Sequence, residues 1–92
     1  MSYRIRETRH FASQYRKLHD NVAADVDNAV DEARKQPSIG ERKKGDLADL
    51  YVYKFSSQKQ PYLLGYTVDD DVRLTYLKTI GPRENTYRNP KR

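Results

Sequence analysis

The residues with the most chemical potential lie close to the C-terminus, in the segment 79–88. A hydrophobic run from Val72 to Ile80 stops at Gly81-Pro82. We expect this pair to end strand pairing, because Pro lacks a backbone donor and Gly tolerates almost any backbone conformation. The following side chains can bind phosphate, stack on bases or move protons; they are Arg83, Glu84, Asn85, Tyr87 and Arg88. A strand end that presents such groups is a common way to build a site, and an ordinary solvated tail is the alternative.

Charge is distributed unevenly along the chain, whose net charge is +5. Positive clusters occupy residues 42–44 and 83–92, whereas residues 20–32 carry five acidic residues and no Lys or Arg. This pattern predicts a dipolar molecule whose positive side meets a polyanion or an acidic protein. The eight tyrosines favour nucleic acid, because rings stack on bases while cations hold phosphates. Tyr is also simply common in β-strands, which is the alternative reason for their number.

Composition limits the classes of protein that this chain can belong to. Its 92 residues predict one domain, 1–92. The chain has no Cys, which excludes disulfides and thiolate metal sites and fits a reducing compartment. His10 and His19 are too few for a zinc site without carboxylates, so we expect no metal and no cofactor. No apolar run approaches the ~18 residues of a membrane span, and a signal peptide is not apparent, so we expect a cytoplasmic protein that binds no membrane.

Periodicity in the first part of the chain predicts a strand followed by two helices. Residues Ser2 to Arg6 alternate polar and apolar side chains, as a half-buried strand does. Thr8 is the predicted N-cap of a helix that ends near His19. A second helix, with Asp20 or Asn21 as its N-cap, stops before Pro37, since the residue before a proline avoids the α region. The short connection between them predicts an antiparallel helical hairpin.

Three strand patterns complete the order β-α-α-β-β-β. A loop at residues 56–60 separates the first two, and Pro61 is compatible only with the start of a strand. We interpret Asp69–Asp71 as a tight turn rather than an acidic metal site, because Asp is typical of turns between strands. The three strands run over residues 50–55, 62–68 and 72–80. Together they predict an α+β fold with a small, mainly antiparallel sheet and the helical hairpin on one face.

The apolar positions of these helices and strands have matching periodicities, so we expect one core between them. Its predicted members are Tyr3, Ile5, Phe11, Tyr15, Leu18, Val22, Val26, Val30, Leu64, Tyr66 and Leu74.

Three motifs follow one another on this scaffold. A basic segment precedes the second strand at residues 43–51, a hydrophobic strand at 62–66 ends in Tyr, and residues 81–87 read Gly-x-Arg-x-x-x-Tyr. With the element order, they resemble the RelE/ParE toxin superfamily of bacterial type II toxin–antitoxin systems over essentially the whole chain. The resemblance implies a RelE-like fold and a small toxin that pairs with a cognate antitoxin protein.

The superfamily divides in function, and both functions stay open for this chain. RelE-like members cut messenger RNA in the ribosomal A site without a metal, which is our first hypothesis. ParE-like members inhibit DNA gyrase without being enzymes, which is the alternative. Many of the RNases carry an arginine just after the position of Tyr62, and this chain has Leu63 there. That departure argues against full RNase activity.

The resemblance also assigns roles, should the protein cut RNA. Cleavage requires a deprotonated 2′-hydroxyl, a stabilised phosphorane and a protonated leaving oxygen. Arg83 matches the arginine after the last strand and would hold phosphate oxygens. Tyr87 would act as base or stack, and Lys43 or Lys44 would supply positive charge. The predicted RNA-binding residues are Arg42, Lys54, Arg88, Lys91 and Arg92.

Overall fold

The computed structural model describes residues 3–43 and 50–83, which form a five-stranded sheet and two helices. A 3-10 turn at Pro37–Ile39 links α2 to β2. The elements are β1 (Arg4–Glu7), α1 (Arg9–Arg16), α2 (Asp20–Lys35), β2 (Glu41–Arg42), β3 (Tyr51–Ser57), β4 (Gln60–Asp69) and β5 (Leu74–Pro82). Neither described helix is both long and apolar enough to cross a membrane.

The strands lie in the order β1-β5-β4-β3-β2. β1 is parallel to β5, and all other neighbours are antiparallel. The predicted α+β fold with a meander and a helical hairpin is therefore confirmed. β2 was not predicted, because two residues are too few to show a period-two pattern.

The helix boundaries depend on side-chain capping at only one of the two N-termini. Thr8 is the N-cap of α1, and its Oγ1 accepts a hydrogen bond at 3.2 Å from the backbone N–H three residues later, as predicted. The end of α1 near His19 was wrong, because the helix stops at Arg16. His19, rather than Asp20 or Asn21, is the N-cap of α2 and makes no side-chain capping bond. Asp20 instead lies in the first turn, where its charge favours the helix dipole.

The β3–β4 hairpin is tighter than the predicted five-residue loop. Gln58 and Lys59 alone form the turn, with φ of 54° and 65°. Two successive positive φ values match the right-handed strand twist, which lets the strands pair up to the turn. At the next turn, the strand predicted from Val72 begins instead at Leu74, and Arg73 has a φ of 53°.

The prediction that Gly81 and Pro82 end strand pairing was wrong. Both residues pair with β4 as the last two residues of β5. The N–H of Ile80 points away from β4, towards the Gln14 side chain. Because backbone groups alternate in direction along a strand, Pro82 faces the same side as Ile80. Its missing N–H therefore costs no hydrogen bond to β4.

The core lies between the helices and one face of the sheet, as predicted. Nine of the eleven predicted residues belong to the central cluster or pack against it, and none is fully exposed. Tyr3 and Leu74 are partly exposed and lie outside the cluster. The buried cluster consists of Phe11, Val22, Val26, Ala29, Ala33, Tyr62, Leu64, Tyr66, Leu77 and Ile80.

Candidate functional site

The two faces of the sheet differ in charge. Side chains alternate along a strand, and Ile5, Leu64 and Tyr53 face the helices. Their neighbours therefore lie on the opposite side, which we call the open face because neither described helix packs on it. The strand cations Arg4, Arg6 and Lys54 lie on it, and Lys78 Nζ lies 6.0 Å from the ring of Tyr76, which faces the same side. The acidic residues Glu41 and Asp69 lie near its ends. The acidic stretch of residues 20–32 belongs to α2 on the other side of the sheet, where the helices also carry Arg9, Arg16, Arg34 and Lys35.

The carboxylate of Glu41 lies within ion-pair distance of two lysines that were predicted to belong to the site. Glu41 Oε1 lies 3.9 Å from Lys43 Nζ and 3.9 Å from Lys54 Nζ. β2 makes this possible, because it places Glu41 opposite Val52, two residues before Lys54 on the same face. The lysines thus share a position on the open face next to β3.

Arg42 does not join these lysines. It pairs with Tyr51, whose side chain packs on the helix side of the sheet. Register partners in a sheet share a face, so the Arg42 side chain leaves β2 on the helix side. Arg42 and Lys43, neighbours in the sequence, therefore lie on opposite faces.

The sheet register connects Lys54 to the end of β5. Lys54 pairs with Leu63, which pairs with Gly81. Since neighbouring strands lie ~4.8 Å apart, about 10 Å separates Lys54 from Gly81 across the sheet. Arg83 follows directly after β5 and is exposed. Its predicted place at the surface beyond a packed strand is confirmed. The other predicted residues, Lys44, Tyr87, Arg88, Lys91 and Arg92, lie outside the described residues.

A glutamine that the sequence analysis missed holds β5 just before this exit. β1 reaches only as far as Leu77 along β5, so no strand among the described residues pairs with the following residues on that side. Gln14 Oε1 of α1 accepts hydrogen bonds there from the Ile80 backbone N–H at 2.9 Å and from Thr79 Oγ1 at 3.0 Å. The only sequence signal was a polar residue three positions after Phe11, next to the apolar face of α1.

A register shift in β5 lies beside this anchor. Gly65 pairs with Thr79 whereas Tyr66 pairs with Leu77, so Lys78 is an extra residue in the strand. Such bulges bend a strand and change the direction of its side chains, and they are frequent next to functional sites. Here the bulge precedes the strand end that leads to Arg83.

The histidines and the aspartates of the turn do not lie at the end of β5 that leads to Arg83. His10 on α1 and His19 at the start of α2 are both exposed and belong to the helix layer. Asp69 Oδ1 accepts a hydrogen bond from the Asp71 N–H at 3.0 Å, which confirms the interpretation of these aspartates as a turn. Over residues 3–43 and 50–83, no group of three or more His, Asp or Glu side chains is placed to hold a metal ion.

The fold defined by this sheet and helical pair is that of RelE toxins. The structure is similar to the RelBE2 toxin–antitoxin complex from Mycobacterium tuberculosis, with a TM-score of 0.79, 21% identity, and coverage of 90% of this chain and 100% of that one. It is also similar to the intact E. coli RelBE toxin–antitoxin complex, with a TM-score of 0.75, 23% identity, and coverage of 90% of this chain and 99% of that one. The archaeal RelE–RelB complex from Pyrococcus horikoshii OT3 matches with a TM-score of 0.62, 17% identity, and coverage of 90% of this chain and 97% of that one. At these identities the likeness concerns the fold.

Family membership comes from the sequence. A model of the ParE-like toxin of type II bacterial toxin–antitoxin systems matches residues 5–91. The chain therefore belongs to the ParE-like toxin family, as the three motifs indicated. A search of curated proteins finds no significant match.

Proposed function

We propose that this toxin cuts messenger RNA on the ribosome as an endonuclease that requires no metal or cofactor. The observation that carries the proposal is the cationic open face, on which Lys43 and Lys54 lie together and Lys54 is in register with the strand end before Arg83. A polyanion is the ligand that such a surface attracts. We place the protein, as a single domain, in the cytoplasm, where ribosomes and mRNA are present.

In this proposal each group acts on a different part of the phosphoryl transfer. The exposed guanidinium of Arg83 holds the non-bridging oxygens with two parallel hydrogen bonds as negative charge develops. Lys43 and Lys54 add positive field near the leaving group. Tyr87, assigned by the resemblance alone, takes the proton of the 2′-hydroxyl or stacks on a base.

As a toxin of a type II system, the protein has an antitoxin as its partner. We propose that an acidic or amphipathic segment of that antitoxin covers the open face and neutralises its cations. Rates of association would then fall with added salt, because screening shortens the range of charge attraction.

Inhibition of DNA gyrase is the second candidate, and Leu63 is the observation that favours it. Leu63 lies on the open face, only 1% exposed, where many of the RNases carry an arginine. The family match is also to ParE-like toxins. In this case Arg83 and Tyr87 would contribute binding contacts and no chemistry.

Primer extension on cellular mRNA after induction of the toxin separates the two candidates. Site-specific cuts within codons are the result that we expect. Intact mRNA together with an SOS response would overturn the RNase proposal and support gyrase inhibition.

Substitution of Arg83 tests the site itself. Arg83→Ala should lower the cleavage rate by ~10²–10³, the usual effect of losing one group that stabilises the transition state. The side chain is exposed, so the melting temperature should not change. Arg16→Ala, at an exposed position of α1, is the control with the same loss of charge. Tyr87→Phe should be as inactive as Tyr87→Ala if the hydroxyl moves a proton, and nearly fully active if the ring only stacks. A folded Arg83→Ala protein that still cuts mRNA like the parent would exclude Arg83 from the chemistry.

A further inference from the structure

The N-terminal strand adds two arginines to the open face. Arg4 and Arg6 flank Ile5, which packs on the helix side, so both arginine side chains leave on the opposite side. Their Cα atoms are about 7 Å apart, because a strand rises ~3.3 Å per residue. Both are exposed, and neither forms an ion pair in the described part of the chain. An open cleft of about 500 Å³ lies beside them, lined also by Glu7 and Leu74.

An aromatic ring lies next to these arginines on the neighbouring strand. Arg6 is the register partner of Tyr76 in β5, so the two side chains are adjacent on the open face. Tyr76 is half-buried, which restricts its ring while leaving part of it accessible. Lys78 Nζ lies 6.0 Å from the centroid of the same ring. Proteins that bind single-stranded nucleic acids use a ring flanked by cations, on which a base stacks while the cations hold phosphates.

We infer that Arg4, Arg6, Tyr76 and Lys78 form a binding platform for single-stranded RNA, which we call the β1–β5 platform. The Tyr76 ring stacks on a base, and the two arginines bind successive phosphates on one side of it. The inference extends the proposed function, because the platform would hold the part of the RNA that flanks the segment at the β5 exit.

The geometry separates this platform from the exit. Six residues of β5 lie between Tyr76 and Arg83, a distance of roughly 20 Å along a strand. Both positions are on the same strand, and Leu63 and Gly81 are buried on this face beside the exit. Two carboxylates lie near the platform: Glu7 lines the cleft beside the arginines, and Asp69 lies across β5 from Arg4. An extended RNA could therefore contact the platform and the exit at once, whereas a short one could not.

Binding to a labelled RNA of about 12 nucleotides tests the platform with the full chain carrying Arg83→Ala, which prevents cleavage. In fluorescence anisotropy, Arg4→Ala together with Arg6→Ala should weaken binding about tenfold. The slope of log K against log salt should become shallower by about 1.4, the value for two lost contacts to a single strand. The matched control is Arg9→Ala with Arg16→Ala, two exposed arginines of α1. Equal losses in the two double variants would overturn the platform.

Tyr76 gives a second and independent measurement. Tyr76→Leu should weaken binding of the same RNA about tenfold, whereas Tyr76→Phe keeps the ring and should stay within about twofold. Circular dichroism melting shows whether each variant folds. If Tyr76→Leu does not fold, the RNA affinity of the Arg4→Ala with Arg6→Ala variant alone decides whether the platform binds RNA. Equal affinities of folded Tyr76→Leu and Tyr76→Phe would exclude stacking.

Substrate length distinguishes failure of the platform from failure of the proposed function. An RNA of about 2 nucleotides is too short to span both positions, so its binding at the exit should not respond to the platform variants. If mRNA stays intact in cells while platform variants still lose RNA affinity, only the proposed nuclease activity fails. If the parent cuts mRNA while platform and control variants bind alike, only the platform fails. The same losses with a DNA oligonucleotide of equal affinity would overturn the assignment to RNA.

Discussion

Gln14 Oε1 accepts a hydrogen bond at 2.9 Å from the backbone N–H of Ile80, 66 residues away in the chain. The bond replaces the strand partner that β5 loses where β1 ends. It joins α1 to β5 three residues before Arg83. The position of α1 therefore determines the direction in which the chain leaves the sheet towards Arg83. Gln14 is thus a positioning residue of the proposed site and contacts no RNA itself in this arrangement.

Replacing Gln14 should affect stability and activity according to whether an acceptor remains. Gln14→Met keeps the length but leaves the Ile80 N–H unpaired, which should cost ~1–3 kcal/mol in the free energy of unfolding. Gln14→Glu retains an oxygen acceptor and should lose less than half of that amount. Urea denaturation measures the first effect. Single-turnover cleavage measures the effect on activity. The cleavage rate of Gln14→Met should be low, and that of Gln14→Glu should be close to the rate of the parent. Equal stability of the two variants would show that the bond does not hold β5.

The buried hydroxyl of Tyr66 ties the end of α2 to the sheet. It donates to the Pro37 carbonyl at 2.5 Å and accepts from the Gly40 N–H at 3.1 Å. Tyr66→Phe should therefore lower the free energy of unfolding by ~1–3 kcal/mol, because the two backbone groups keep only their long mutual contact, from the Gly40 N–H to the Pro37 carbonyl at 3.5 Å. Tyr62→Phe is the control, since the Tyr62 hydroxyl makes no hydrogen bond within the described residues. Comparable losses in the two variants, measured by urea denaturation, would contradict this account.

Tyr66 also predicts a loss of stability at alkaline pH. Burial raises the pKa of Tyr66 from 10.0 to about 12. Between these values the unfolded chain releases the proton while the folded chain keeps it, so stability is fully present below pH 10 and falls above it. The slope from this residue is at most ~1.4 kcal/mol per pH unit. Denaturation at a series of alkaline pH values should show a shallower fall for Tyr66→Phe than for the parent. Parallel curves would contradict the raised pKa.

Thr75 offers a stabilising substitution. Its side chain is fully buried, and Oγ1 finds no hydrogen-bond partner within the described residues. Thr75→Val replaces this hydroxyl by a methyl group of similar size and should raise the free energy of unfolding by ~1 kcal/mol. Thr75→Ala removes the same hydroxyl but leaves a cavity and should destabilise the protein. A destabilised Thr75→Val variant in thermal melting would indicate that the hydroxyl has a partner after all.

Glu41 limits the positive charge of the open face. Its carboxylate lies within ion-pair distance of both Lys43 and Lys54. Glu41→Gln should therefore tighten binding of single-stranded RNA several-fold at low salt, and the gain should fade as salt screens the charges. Glu32→Gln, an exposed acidic residue of α2, removes the same charge on the other side of the sheet and is the control. An equal gain from both substitutions would show only an effect of net charge.

Local pattern alone determined the elements and most of the core. The Thr8 cap, the apolar stripe of α2 and the alternation of β4 depend on residues within a few positions of one another, so the sequence displays them directly. The alternation of Arg4 and Arg6 with Tyr3 and Ile5 likewise placed two cations on the solvent side of a strand. The sequence also shows directly that the acidic stretch of residues 20–32 belongs to a single helix.

Tertiary structure alone decided which of these residues meet. The parallel pairing of β1 with β5 brings Arg6 beside Tyr76, 70 residues further along the chain. The two-residue strand β2 divides Arg42 from Lys43, and Gln14 reaches Ile80 only because α1 packs at the edge left by β1. Gly81-Pro82 continues β5 because the direction of each N–H depends on strand register. Register and strand order result from the whole chain folding around one core, so no short window of sequence contains them.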